Sequence, residues 1–138
     1  MNTQKITVRA VVFRPPDEVW RKWTTPRDIM AWNSASDDWH TPAAVNDLRA
    51  GGAFCYRMEA RDGSFGFDFA GIYDEVTPEK KIAYTLGDGR KVEIEFSPDG
   101  GGTLVSETFD AESENSPELQ RKGWQAILDH FKRHAEAP

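Results

Sequence analysis

Apolar residues first recur at every second position, then in two short clusters, then again at every second position through the middle of the chain. The chain closes on a stretch where they return every third or fourth residue. Ile6, Val8, Ala10 and Val12 share one parity, which predicts a strand over 6–13 that Pro15-Pro16 ends. Asp17 to Trp23 reads as a short helix with Val19, Trp20 and Trp23 on one side. Thr25-Pro26 opens a second helix, with Asp28 placed for a capping-box-like start and Ile29, Met30 and Trp32 as its apolar residues. Asn33 to Thr41 has no period and is expected to be a loop.

From Val45 onward the signals are those of an antiparallel meander. Gly51-Gly52 is a turn, and Ala53 to Ala60 a strand with Phe54, Tyr56 and Met58 on one face and Cys55, Arg57 and Glu59 on the other. Asp62-Gly63 marks a hairpin. Phe65 to Val76 is a long strand in which Gly71 suggests a bend or bulge. Lys81 to Leu86, Val92 to Phe96 and Thr103 to Phe109 follow as strands, separated by Gly87-Asp88-Gly89 and by Pro98 to Gly102. Ser116-Pro117 then starts a helix that runs to Glu136, with Leu119, Gly123, Trp124, Ile127, Leu128, Phe131 and Ala135 forming its apolar stripe. Helices set apart from an antiparallel sheet make an α+β domain, and residues 1–138 read as one such unit. A long helix laid on a curved sheet cannot touch it everywhere, so a pocket is expected between them.

Composition narrows the partners. With 138 residues, five Trp, eight Phe and three Tyr, the chain can build a full core. A net charge of −6 argues against nucleic acid or an anionic membrane as partner. One cysteine, Cys55, excludes an intrachain disulfide and a thiolate zinc site, and the polar stretch Met1 to Lys5 lacks an apolar signal core. A reduced, cytoplasmic protein is the resulting expectation.

The ordered set of motifs is similar to one family across nearly the whole chain. Pro16 with Val19-Trp20, Pro26 with Trp32, and Gly52 with Phe54 begin the pattern. Gly71-x-Tyr73-x-x-Val76, Pro78, Ile82-x-Tyr84, Gly102-Thr103 and Gly123-Trp124 complete it. Together they resemble the SRPBCC (START-like, helix-grip) superfamily, and within it the branch related to the C-terminal domain of the activator of the heat-shock protein 90 ATPase. That resemblance implies a helix-grip fold, a curved antiparallel sheet of six to seven strands wrapped around the C-terminal helix, with a ligand cavity. Its members include hydrophobic-ligand carriers, polyketide cyclases and aromatases, and co-chaperones, so fold alone does not select an activity.

The residues placed at the cavity are Trp39, Phe54, Tyr56, Met58, Phe67, Phe69, Tyr84, Phe96, Glu107, Trp124 and Leu128. Each aromatic or aliphatic member is read either as pocket wall or as plain core. Trp39 is read as a gatekeeper over the mouth or as a pin for its loop. Glu107 shares parity with Val105 and Phe109 and is the sharpest candidate acid or base, and Asp68, between Phe67 and Phe69, raises the same question. Within an aromatic cavity the pKa of Glu107 would rise; the competing reading leaves it hydrated near the open end or pairs it with Arg49 or Arg57. The face of Asp68 stays open. Gly123 is expected to mark a close approach of backbone or ligand. Asp37-Asp38 with His40, and His130 with His134, lack the surroundings of a metal site, so no metal is expected. Without a phosphate loop, dinucleotide fingerprint or nucleophile elbow, no cofactor and no complete catalytic constellation is expected. The leading expectation is a binder of a small hydrophobic, aromatic or polyketide-like molecule. A cyclase- or aromatase-type enzyme using Glu107 and a chaperone-ATPase-activator-like interaction module are the alternatives. The sequence leaves a homodimer open.

Overall fold

The first alternation folds as its parity dictates: β1 (Lys5–Val12) buries Ile6, Val8 and Val12. The computed structural model describes residues 4–138, and the first three positions of the polar N-terminal stretch lie outside the described residues. Two short helices follow, α1 (Pro16–Thr24) and α2 (Pro26–Trp32), each with proline in its first turn, where a missing N–H loses no helical bond. Val19 and Trp23 of α1 and Ile29 and Trp32 of α2 turn inward, whereas Met30 is largely exposed. Asp28 does not complete a capping box. Thr25 Oγ1 donates to the Arg21 carbonyl at 2.6 Å, and the Asp28 carboxylate instead meets His134 Nε2 at 2.9 Å.

The expected loop over 33–41 runs into a strand that the pattern hides. β2 (Trp39–Asn46) pairs with β3 (Ala53–Ala60), and the register shifts between His40 and Ala43, around Pro42. A residue without an N–H is tolerated there because β2 is an edge strand. β4 (Gly66–Thr77), β5 (Lys81–Leu86), β6 (Lys91–Asp99) and β7 (Gly102–Asp110) complete a curled antiparallel sheet of seven strands, ordered β1-β7-β6-β5-β4-β3-β2. The bulge expected at Gly71 lies further on, between Tyr73 and Glu75. Gly71 meets a different demand: a Cβ there would stand 2.6 Å from the Thr85 carbonyl oxygen and 3.0 Å from the Phe54 ring.

α3 (Pro117–Glu136) begins where expected, with Ser116 Oγ accepting the Leu119 amide at 3.1 Å. Leu128, Phe131 and Ala135 are fully buried. Phe131 meets Trp23 and Trp32 edge-on at 4.7 and 5.0 Å, contacts worth about 0.5–1.5 kcal/mol each beyond burial. Leu119 is exposed and Gln120 takes the inward place at that turn. Gly123 marks no close approach, since a Cβ there would meet nothing within 4 Å.

The helix lies along β1 and against both short helices. Three of its side chains reach the carbonyls of that edge strand: Arg121 to Thr7 at 3.1 Å, Gln125 to Arg9 at 3.1 Å, and Lys132 to Val11 at 2.6 Å. Tied down along β1, α3 stands away from the middle of the sheet, and a cavity fills the gap. Among the described residues no helix is long and apolar enough to cross a membrane.

Candidate functional site

The cavity holds about 320 Å³. β3 supplies Tyr56 and Met58, β4 supplies Phe67, Phe69 and Tyr73, β5 supplies Ile82 and Tyr84, and β7 supplies Glu107. Trp23 and Trp32 close one end, and Trp124 and Ile127 of α3 form the roof. Trp124 is held by stacking on Phe109, with ring centroids 3.9 Å apart and planes 11° from parallel. Phe67 and Asn115 are the exposed members of the wall and mark its mouth. Gln120 fixes one lip of that mouth: its Oε1 accepts the Glu112 amide at 2.9 Å, and its Nε2 donates to the Glu112 and Asn115 carbonyls at 3.1 and 2.8 Å.

Of the residues expected here, Tyr56, Met58, Phe67, Phe69, Tyr84, Glu107 and Trp124 stand in the wall. Four do not. Phe54 lies behind it, packed on Tyr84 at 4.7 Å and Tyr56 at 5.0 Å. Phe96 is covered by Trp20 and Trp23. Leu128 is sealed in the core, since one further step along α3 rotates it away from the space that Ile127 faces. Trp39 is outside the wall, in β2, packed against Phe65 and against Phe67 at the mouth, 6.0 Å from each ring centre. Tyr73 and Ile82 were within reach of the sequence, because they share parity with Phe69 and Tyr84. Trp23 and Trp32 were not, because nothing local fixes where two short helices cross a sheet.

The polar members divide into those with partners and those without. Tyr73 Oη donates to Asn46 Oδ1 at 2.5 Å, and burial pushes its pKa up to about 12. Burial also raises Tyr56, with Tyr73 beside it adding to the effect. Arg90 is bound to Asp88 at 2.7 Å. The Tyr84 phenol is raised by burial first and by the nearby Glu107 carboxyl second. Glu107, 6% exposed, is pushed up to about 8 by burial alone. Neither arginine considered for Glu107 reaches it. Arg57 points to the other face of the sheet, 2.8 Å from Glu59 and 3.4 Å from Asp68, which settles Asp68 as outward. Arg49 holds Asp47 at 3.0 Å. His130 Nδ1 lies 3.1 Å from the Ser34 carbonyl and His40 lies 3.9 Å from Glu59, so the histidines hold the scaffold together at separate points.

A curled antiparallel sheet gripping a terminal helix around an aromatic cavity defines a START-like protein. The chain belongs to the family of activator of Hsp90 ATPase homolog 1-like proteins, whose model matches residues 14–136. It is similar to the AHSA1-like protein of Aeromonas hydrophila, known from a solution structure, with 45% identity, TM-score 0.91 and 96% and 92% of the two chains covered. A solution structure from Cytophaga hutchinsonii is 52% identical, with TM-score 0.84 and the same coverage, 96% and 92%. A crystal structure from Nitrosomonas europaea, 23% identical with TM-score 0.81 over 96% and 94% of the chains, shares the fold. No curated protein matches the chain.

Proposed function

We propose that this protein binds a small, largely apolar molecule in the cavity between α3 and strands β3 to β5. The observation that carries this reading is the wall itself: rings from both short helices, α3, β3, β4 and β5 converge on a space that the protein leaves unfilled. A packed interior of this size would gain dispersion energy by filling that space with its own side chains. Burying apolar ligand surface there contributes roughly 0.8 kcal/mol per methylene-sized unit, enough for about micromolar affinity without an ion pair.

The test is occupancy. N-phenyl-1-naphthylamine, a neutral fluorescent probe, should brighten on mixing with the wild-type protein. Met58→Trp should abolish that signal by occupying the space, with the far-ultraviolet circular dichroism unchanged. A wild type that leaves the probe dark, or a folded Met58→Trp variant that still lights it, overturns the reading.

A second reading has one specific observation in its favour, the buried Glu107 acid facing the cavity. In a cyclase- or aromatase-type reaction it would hold or deliver a proton at the substrate. Glu107→Gln would then abolish turnover while leaving binding largely intact.

A further inference from the structure

Nearly every polar group in the cavity wall is already spoken for. Gln120 uses its whole amide on the lip, Arg90 is bound to Asp88, Tyr73 to Asn46, and Asn33 to Thr41. Glu112 accepts the Asn115 amide. Tyr56 lies against Tyr73, and the exposed Asn115 side chain stands at the mouth; of the buried carboxyl and phenol groups, Glu107 and Tyr84 are left, with no hydrogen bond to any described residue drawing on either. No side-chain oxygen among the described residues is both sealed and unpartnered, so these free oxygens open on the cavity.

The sheet register puts the two on one face, one strand apart and offset by two residues. Glu107 of β7 is opposite Ile94, and Ile94 opposite Ile82; Tyr84 lies two residues beyond Ile82 on the same face. Only β6 separates their backbones, and the two side chains are close enough to influence each other. Around them the wall is apolar and aromatic.

The geometry points to an uncharged, carbonyl-bearing aromatic molecule as the occupant, its oxygen accepting hydrogen bonds from the Glu107 carboxyl and the Tyr84 hydroxyl. This rests on the ligand-binding reading above and narrows it. With Glu107 held up to about 8, both groups carry their protons at neutral pH, and a carbonyl oxygen has two lone pairs to receive them. The cation in the wall, Arg90, already has the Asp88 carboxylate at 2.7 Å from its Nε, so an anionic ligand would have to share it. An ammonium ligand would require Glu107 to ionise in the apolar wall. The other titratable or charged groups facing Glu107 are Tyr84 on β5, Tyr56 on β3, Tyr73 on β4, Arg90 after β5 and Glu112 after β7. The helices contribute Trp23, Trp32, Gln120, Trp124 and Ile127, none of them charged. All three tyrosines are shifted upward from 10.0 and stay silent below pH 9.

Four probes with one aromatic body separate the possibilities: naphthalene, 2-acetylnaphthalene, 2-naphthoate and 2-naphthylmethylammonium, each titrated by quenching of tryptophan fluorescence. At pH 7 the ketone should bind at least about tenfold more tightly than naphthalene, as two good hydrogen bonds to a buried acceptor allow. Its affinity should fall about tenfold between pH 7 and pH 9, as Glu107 loses its proton. Glu107→Gln, which keeps a donor, should retain the ketone preference without the pH dependence. Glu107→Ala should bring the ketone down towards naphthalene. Tightest binding of the ammonium, or of the naphthoate, overturns the inference, as does equal affinity for ketone and naphthalene at every pH; each leaves the apolar-ligand reading standing. Failure of all four probes overturns both.

Discussion

Glu107 makes the stability of this fold depend on pH in a direction opposite to that of a salt-bridged acid. In the unfolded chain it ionises near 4.5, whereas in the folded protein it keeps its proton to about 8. Between those values the folded state binds more protons, so this group's favourable contribution is whole below the lower value and is lost as pH rises to the upper one. The slope is about 1.4 kcal/mol per pH unit, an upper bound for one group. Glu107→Gln removes the ionisation. We expect its melting temperature to match the wild type near pH 4 and to exceed it at pH 8, by thermal denaturation followed at both pH values. A gap that is the same at both would show that the carboxyl is not buried as described. Strand parity was enough to turn Glu107 inward. Parity also places Arg57 on the opposite face from Tyr56, so its pairing with Glu107 was excluded by the same rule. What parity does not carry is depth: Phe54 and Tyr56 share a face, yet one is core and the other is cavity wall.

Elements were legible in proportion to their regularity. β6 alternates buried and exposed from Lys91 to Phe96, and its reading from sequence needed no tertiary help. β2 failed that test because Pro42 and the shifted register spoil both alternation and hydrogen bonding, and partnership with β3 alone makes it a strand. In α3 the Ser116 cap and the stripe from Leu128 to Ala135 were readable, but the turn containing Leu119, Gln120 and Gly123 was not. There the helix faces the loop over 111–115 instead of the sheet, so Gln120, with three bonds to make, displaces the aliphatic residue. Gly123 then has no packing reason to be glycine. Gly123→Ala should stabilise the protein by about 1 kcal/mol through helix propensity, and Ser116→Ala should cost about 1 kcal/mol through loss of the cap. Urea denaturation of the two variants measures both. A loss on Gly123→Ala would reveal a contact that the fold as described does not contain.

For the molecule as a whole, seven strands in an unclosed sheet leave two free margins, β1 and β2. Each is protected differently. β2 has Pro42 and its irregular register, which remove donors and break the spacing that another strand would need. β1 has the Arg121, Gln125 and Lys132 side chains of α3 on three alternate carbonyls. The same side chains hold α3 over one flank of the sheet. Replacing all three with alanine should therefore loosen the helix and uncover an edge at once. Thioflavin fluorescence on prolonged incubation should rise for that triple variant and stay flat for the wild type; an inert, folded triple variant would show that these contacts do not guard the margin.

A helix that lends its own side chains to the rim of its sheet acts as a non-propagating eighth strand. It occupies three of the outermost carbonyls but offers no peptide ladder in return. An open, ring-lined hollow and a covered rim are thus built by the same helix.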